Sequence, residues 1–177
     1  MIFGNPDKFA IFVDIVREWS NPDFEEGLFL YILGGSFCTS KLPENSATIS
    51  VYMRELSSTI EKLSSNGYEN PHIFNSPIAQ AYSELSASRF VPFEEDTPDD
   101  AVEDYTHSIT IGDMLRGIDD EIYLVSDGVN EKILCKNNLT KQVSGIVFEQ
   151  GYVVEVMRNA VNWWSNQNLK NEGFWHT

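Results

Sequence analysis

The residues best suited to chemistry in this sequence are the carboxylates of one acidic stretch. The stretch "VPFEEDTPDDAVEDYTH", residues 91–107, contains seven Asp or Glu residues and no Lys or Arg. The acidic window, defined here as residues 94–121, contains eleven acids and one base, Arg116, and so carries −10 of the formal net charge of −15. Such a set is compatible with a solvated loop, a calcium site, a pair of catalytic acids or a surface that binds a basic partner.

Calcium binding and two-carboxylate catalysis both fit the acidic window poorly. An EF-hand loop needs oxygen ligands at regular positions, a central Gly and a final Glu. In a loop that began at Asp96, Pro98 and Ala101 would occupy a ligand position and the Gly position, and His107 would replace the final Glu. A glycosidase needs two carboxylates that face each other across a cleft, and an acidic cluster does not indicate one. The sequence therefore predicts no metal site.

Nucleophilic catalysis also lacks a recognisable set of residues. A Ser or Cys nucleophile needs a base, usually His, within hydrogen-bond distance, and His72, His107 and His176 lie in no nucleophile motif. Two Cys and three scattered His do not form a zinc motif, and no glycine-rich phosphate loop is present. We expect no catalytic residue and no cofactor. A hydrolase that uses carboxylates or His107 is one of two alternatives and ranks second to the acidic binding module described below.

The first half of the chain predicts two helices after a strand and a hairpin. Residues 8–19 alternate with period two and indicate a strand, and residues 27–40 form two apolar runs around Gly34-Gly35, which favours a tight hairpin turn. Apolar residues with helical spacing predict a helix over 47–67 that ends at Gly67. Ser76-Pro77 is typical of a helix start, so a second helix is expected within 76–90.

The second half predicts a short strand at 107–114 and a hairpin over 121–137 that turns at Asp127-Gly128. A strand over 141–150 and an amphipathic helix over 151–168 follow, while Pro92 and Pro98 favour an irregular loop in between. The order of elements predicts an α+β fold with a mostly antiparallel sheet, hairpins and about three helices. We expect residues 1–177 to form a single domain.

Composition narrows the class of protein further. The 42% hydrophobic content is ample for a packed core, and a chain with −15 net charge repels nucleic acid and anionic membranes. The N-terminus has no basic segment, and no stretch of the sequence approaches the roughly 18 apolar residues that span a membrane, which predicts a soluble cytoplasmic protein. Cys38 and Cys135 lie in apolar stretches and are expected to be buried reduced thiols; a disulfide between them is possible, but nothing in the sequence supports it.

Three stretches carry a resemblance to a known family. The opening "MIFGNPDKFAIFVDIVREW" resembles that of the immunity protein forty-two family, found in contact-dependent growth inhibition and related polymorphic toxin systems. The stretches "GLFLYILGG" at 27–35 and "GYVVEVMRNAVNWW" at 151–164 resemble it more weakly. The resemblance implies a bacterial antidote without enzymatic activity, which binds one copy of a cognate toxin domain and blocks it. Toxins of such systems are often nucleases, whose basic groove suits an acidic partner.

The resemblance covers both ends of the chain, so toxin specificity is expected in the divergent middle, where the acids cluster. Large apolar residues of the shared stretches, such as Trp19 and Trp164, are interpreted as core. A general acidic binding module, such as a nucleic-acid mimic, is the first of the two alternatives. No direct binding to nucleic acid or membrane is expected. The residues predicted to supply the toxin interface are Glu94, Glu95, Asp96, Asp99, Asp100, Asp104, Tyr105, Asp113, Asp119 and Asp120.

Overall fold

The architecture comes from a computed structural model, which describes residues 1–21, 24–38, 47–88, 106–111, 121–136 and 140–171. In these ranges the chain forms two antiparallel sheets and four helices. The predicted α+β class with a mostly antiparallel sheet is confirmed. The strands are β1 Ile2–Gly4, β2 Phe9–Ile15, β3 Glu26–Leu33, β4 Ser36–Phe37, β5 Ala47–Thr48, β6 Ile122–Ser126, β7 Asn130–Lys136 and β8 Val143–Glu149. The helices are α1 Ile49–Asn66, α2 Pro71–Asn75, α3 Ile78–Ser88 and α4 Tyr152–Asn171.

The first sheet is built around the β2–β3 pair. Its strand order is β1-β2-β3-β4, and β5 pairs with the other end of β3. Alternate residues of β2 and β3 point to one face, where they pack against α1 and α4. The predicted hairpin is confirmed, because β3 and β4 are joined by Gly34 and Gly35 with φ of 55° and 77°.

The second sheet has the order β6-β7-β8 and contains the predicted hairpin that turns at Asp127-Gly128. One face joins the main core with the first sheet, α1 and α4. The other face packs against α2 and α3, where Phe74, Tyr82 and Leu85 contact Tyr123 and Val125. Residues 107–109 run antiparallel to the free edge of β6, so the described part of the predicted strand at 107–114 is extended.

The sequence placed α1, α3 and α4 correctly, and the predicted apolar stripe of α1 is buried along its whole length. It missed α2, where the Asn70 side chain accepts a hydrogen bond from the Ile73 backbone N–H at 3.1 Å and Pro71 occupies the first turn. Ser76, predicted to begin α3, instead ends α2, because its backbone N–H bonds to the Ile73 carbonyl. The short strands β1 and β5 were also not predicted.

Trp19 is the clearest error of the sequence interpretation. It was taken as core, but 52% of its surface is exposed. The strand β2 ends at Ile15, and the Trp19 backbone N–H then bonds to the Val16 carbonyl at 3.1 Å. The period-two pattern therefore stops before Trp19, whose side chain lies on a turn instead of a strand face. Trp164, also taken as core, is half-buried against the core.

Two glycines provide a matched test of how closely the N-terminus packs. A Cβ on Gly4, at φ +90°, would lie 2.5 Å from the Phe9 carbonyl oxygen and 2.9 Å from Val156 Cγ2, whereas a Cβ on Gly35, at φ +77°, would meet no atom within 4 Å. Both substitutions by Ala incur the backbone cost of positive φ, about 1 kcal/mol. We expect Gly4→Ala to lower the free energy of unfolding by about 3 kcal/mol, because the clash adds to that cost. Urea unfolding measures the free energy of unfolding of both variants. An equal decrease for Gly4→Ala and Gly35→Ala would contradict the packing argument.

Candidate interaction surface

All ten predicted interface residues lie outside the described residues, so the structure does not place them. The described residues that border them are Ser88, Thr106, Ile111 and Glu121. Of the carboxylates in the acidic window, Glu121 is the one within the described residues, and it is buried. Its carboxylate accepts a hydrogen bond from the Ser108 hydroxyl at 2.9 Å. This hydrogen bond joins the described segment 106–111 to the start of the described segment 121–136. The second part of the acidic window connects these two segments in the sequence.

One contact of His107 is with the backbone of β6. Its Nδ1 lies 3.2 Å from the Leu124 carbonyl oxygen. The neighbouring Ser108 donates its hydroxyl hydrogen bond to the Glu121 carboxylate, and not to an imidazole that could act as a base. Within the described ranges, no group of three or more His, Cys, Asp or Glu side chains is placed to hold a metal ion. None of the described helices combines the length and apolar character that a membrane crossing requires.

A partly buried chain of hydrogen bonds joins three segments at one end of the second sheet. We name it the Glu131 network. The Ser126 hydroxyl donates to Gln150 Oε1, the Gln150 amide donates to the Tyr68 hydroxyl at 3.1 Å, and the Tyr68 hydroxyl donates to Glu131 Oε2 at 2.8 Å. The Gly128 backbone N–H donates to Ser126 Oγ at 2.8 Å. The network connects the end of α1, the β6–β7 turn and the start of α4.

Glu131 is fully buried and also caps α4. Its carboxylate accepts the backbone N–H groups of Gly151 at 2.9 Å and Val153 at 2.6 Å, which lie at the start of that helix. A carboxylate at a helix N-terminus satisfies free donors and interacts favourably with the helix dipole. Burial is the main cause, and the adjacent Glu131 carboxylate the second cause, of a raised pKa of the Tyr68 hydroxyl. The hydroxyl therefore keeps its proton and can donate a hydrogen bond. The arrangement stabilises the start of α4 and satisfies the buried Tyr68 hydroxyl.

The exposed aromatic side chains of the described surface include two on the β2–β3 connection. We define the aromatic turn as residues 16–21 together with 24–26. Trp19 is 52% exposed and Phe24 is 51% exposed. Trp is among the residues most enriched in binding hot spots, and an exposed aromatic pair on one chain connection can supply apolar contact area.

Several hydrogen bonds link the described residues of the aromatic turn to one another. The Ser20 hydroxyl donates to the Val16 carbonyl at 2.9 Å and accepts the Glu26 backbone N–H at 3.0 Å. Asn21 and Phe24 exchange backbone hydrogen bonds of 2.9 Å and 3.2 Å, and the Asn21 side chain accepts a further bond from the Phe24 N–H at 3.0 Å. Trp19 and Phe24 are therefore presented on a preorganised backbone, which lowers the entropy lost on binding.

Carboxylates lie beside the two aromatic residues. Glu18 is exposed, and Glu25 and Glu26 are half-buried. Glu25 accepts the indole N–H of Trp164 at 2.6 Å, which ties the turn to α4, and Glu26 accepts the Thr48 hydroxyl at 2.9 Å. The aromatic turn thus offers apolar area next to three carboxylates and one cation, the exposed Arg17, and the net negative charge of its described residues suits a basic protein partner.

A comparison with models of known protein families shows to which family the chain belongs. Residues 1–163 match the family described as Immunity protein 42. The chain belongs to the immunity protein 42 family. The resemblance seen at its N-terminus is thereby confirmed.

A solved structure agrees with membership of the immunity protein 42 family. The fold is similar to the crystal structure of CdiI from Burkholderia dolosa AUO158, with a TM-score of 0.71 and 26% sequence identity over 92% of this chain and 99% of that chain. A search of curated proteins found no match. The family match and the fold similarity both indicate an immunity protein of the contact-dependent growth inhibition type.

Proposed function

We propose that this protein neutralises a cognate toxin domain of a contact-dependent growth inhibition system by binding it one-to-one, without enzymatic activity of its own. The observation that carries this proposal is membership of the immunity protein 42 family over residues 1–163. The similarity to CdiI supports it. The buried roles of Ser108, Glu121 and Glu131 are consistent with an inhibitor that acts by contact alone.

The chemistry of the partner follows from charge. A protein with −15 net charge associates fastest with a basic surface, and a nuclease that binds phosphates offers one. We therefore propose a nuclease toxin, bound in the cytoplasm where its substrate lies. The acidic window supplies most of the negative field and remains our proposed main interface, through the ten residues predicted from the sequence.

The aromatic turn is proposed as a second contact region for the same toxin. Its two exposed aromatic side chains supply the desolvated anchors that an interface needs in addition to charge. Charged residues alone mainly accelerate association, while packed anchors slow dissociation. The two regions would therefore affect different rate constants.

Substituting the aromatic anchors tests this second region. We expect Trp19→Ala to weaken toxin binding at least about tenfold, mainly through faster dissociation, because a buried Trp commonly contributes about 2 kcal/mol to an interface. The free energy of unfolding should change by less than about 0.5 kcal/mol, since the side chain is exposed. Biolayer interferometry gives both rate constants.

Phe37→Ala provides the control for this experiment. Phe37 is 48% exposed and lies on β4 of the first sheet, at a different position from the aromatic turn. Unchanged binding by Trp19→Ala, or equal losses in both variants, would remove the aromatic turn from the interface.

The function itself is tested with the toxin domain encoded next to this gene. We expect nanomolar binding in calorimetry, protection of cells that express the toxin, and a stoichiometry of one. After separation in denaturant, the toxin should keep its original mass and regain its activity on refolding, because a binding inhibitor does not modify it. Lack of binding and of protection would refute the immunity function, and a changed toxin mass would show that the protein is an enzyme.

A further inference from the structure

The two cysteines of the chain meet between the two sheets. Cys38 directly follows β4, and Cys135 lies in β7. Neither cysteine takes part in a disulfide, both are half-buried against the main core, and the two side chains lie close enough to interact. Nothing in the immunity function proposed above requires this contact.

A series of hydrogen bonds and strand pairs connects the segments that carry the two cysteines. The Cys38 N–H donates to the Tyr31 carbonyl at 2.9 Å, and the Tyr31 hydroxyl donates to the Ile109 carbonyl at 3.0 Å. Ile109 pairs in turn with Ile122, which lies opposite Cys135 in the β6–β7 register. These links connect the β3–β4 hairpin to the strand that carries the second thiol.

A second contact between the same elements is independent of the cysteines. A Cβ on Gly34, in the β3–β4 turn, would lie 3.0 Å from Ile146 Cδ1 on β8. Ile146 pairs with Ile133, two residues before Cys135 on β7. The hairpin is therefore packed closely on the face of the second sheet that carries Cys135, and the thiol contact is part of this packing.

We propose that Cys38 and Cys135 form a dithiol site, which small disulfide oxidants such as glutathione disulfide convert into an intramolecular disulfide between the two sheets. One thiol loses its proton and attacks the oxidant, which gives a mixed disulfide and releases one glutathione. The second thiol loses its proton and attacks the protein sulfur of the mixed disulfide, which releases the second glutathione. The two electrons lost by the protein thiols reduce one glutathione disulfide to two glutathiones. This inference does not depend on the proposed function.

Two properties of the site shape the experiment. The interaction with the Cys135 side chain is the main cause, and burial the second cause, of a raised pKa of the Cys38 thiol. The reactive thiolate form is therefore scarce near neutral pH, and thiol–disulfide exchange should be slow. The cross-link would close a loop of roughly 100 residues and restrict the unfolded chain strongly. We therefore expect oxidation to raise the midpoint of thermal unfolding by roughly 5 °C or more.

The test incubates the folded, full-length protein with excess glutathione disulfide, followed by alkylation and mass spectrometry without reduction. We expect the mass of the intact protein to fall by that of two hydrogen atoms. Tryptic digestion should give a pair of peptides joined by a disulfide between Cys38 and Cys135. A thermal scan should show the higher midpoint of unfolding. Dithiothreitol should reverse both changes. Cys135→Ser should acquire one glutathione and show no increase of the midpoint.

A sample unfolded in urea serves as the reactivity control, and the native reaction is followed for about 100 times as long as this control needs for completion, because the native thiols should exchange slowly. Native protein that stays reduced at that point would overturn the proposal. Native protein that carries separate glutathiones, or that forms dimers through its cysteines, would overturn it as well. Both readouts use the wild-type chain, so the result does not depend on whether a variant folds.

Discussion

Neutralising five acids of the acidic window is expected to weaken toxin binding by about 100-fold, or about 2.7 kcal/mol. The variant replaces Glu94, Glu95, Asp96, Asp99 and Asp100 with Gln or Asn and thereby removes five of the 27 acidic residues. If these carboxylates contact the toxin, their loss leaves basic groups on the toxin without partners and accelerates dissociation. Isothermal titration calorimetry at two salt concentrations measures the effect, and the variant should show a weaker salt dependence than the wild type.

A matched variant separates direct contact from the general field of the protein. It removes the same charge from five exposed carboxylates on other surfaces, Asp7, Glu61, Glu69, Glu149 and Glu155. Long-range steering depends on net charge, so this control should lose less than about tenfold, mainly in the association rate. Equal losses in the two variants would show that the acidic window is a solvated surface. Toxin affinity retained by both would show that charge is not the basis of recognition.

The sequence predicted the elements whose patterns are local. The period-two alternation of β2, the glycine pair after β3 and the helical stripe of α1 each carry their structure within a few residues. The strands β1 and β5 are too short for a pattern, because they contain three and two residues and exist through pairing with β2 and β3. Asn70-Pro71 did signal α2, in the same way that Ser76-Pro77 was taken to signal α3.

The candidate interaction surface could be predicted only in part. Charge can be counted from the sequence, so the acidic character of the protein was foreseeable, and a basic partner stays a prediction. The aromatic turn was not, because the exposure of Trp19 depends on where β2 ends, and that end is fixed by the Ser20 side chain and its bonds to Val16 and Glu26. Which carboxylates contact the toxin depends also on the surface of the toxin, which this chain does not encode.

Glu131 illustrates a signal that was present but overlooked. It alternates with Ile133 and Cys135 along β7, so these three residues share one face of the strand. An acid in phase with apolar residues indicates a buried carboxylate, which requires hydrogen-bond donors. Those donors come from Tyr68 and from the start of α4, which are distant in sequence. The pattern could therefore have predicted the burial, but not the partners.

Replacing Glu131 with Ala is expected to lower the free energy of unfolding by about 3–4 kcal/mol. The carboxylate accepts three hydrogen bonds, from the Tyr68 hydroxyl and the backbone N–H groups of Gly151 and Val153. Its removal leaves these donors unsatisfied, Val153 and Tyr68 within the core, and ends the capping of α4. Urea unfolding monitored by Trp fluorescence measures the change, which corresponds to a fall in the thermal midpoint of roughly 10 °C.

Two further variants show whether the network or the residue alone is responsible. Tyr68→Phe removes one donor and leaves Glu131 with its two backbone bonds, so a loss of about 1 kcal/mol is expected. Glu149→Ala removes an exposed carboxylate from the adjacent strand β8 and should change stability by less than about 0.5 kcal/mol. A Glu131→Ala loss as small as that of Glu149→Ala would contradict the network. Because the Glu131 network joins the end of α1, the β6–β7 turn and α4, a large loss would instead show that one buried carboxylate couples these elements into one cooperative unit.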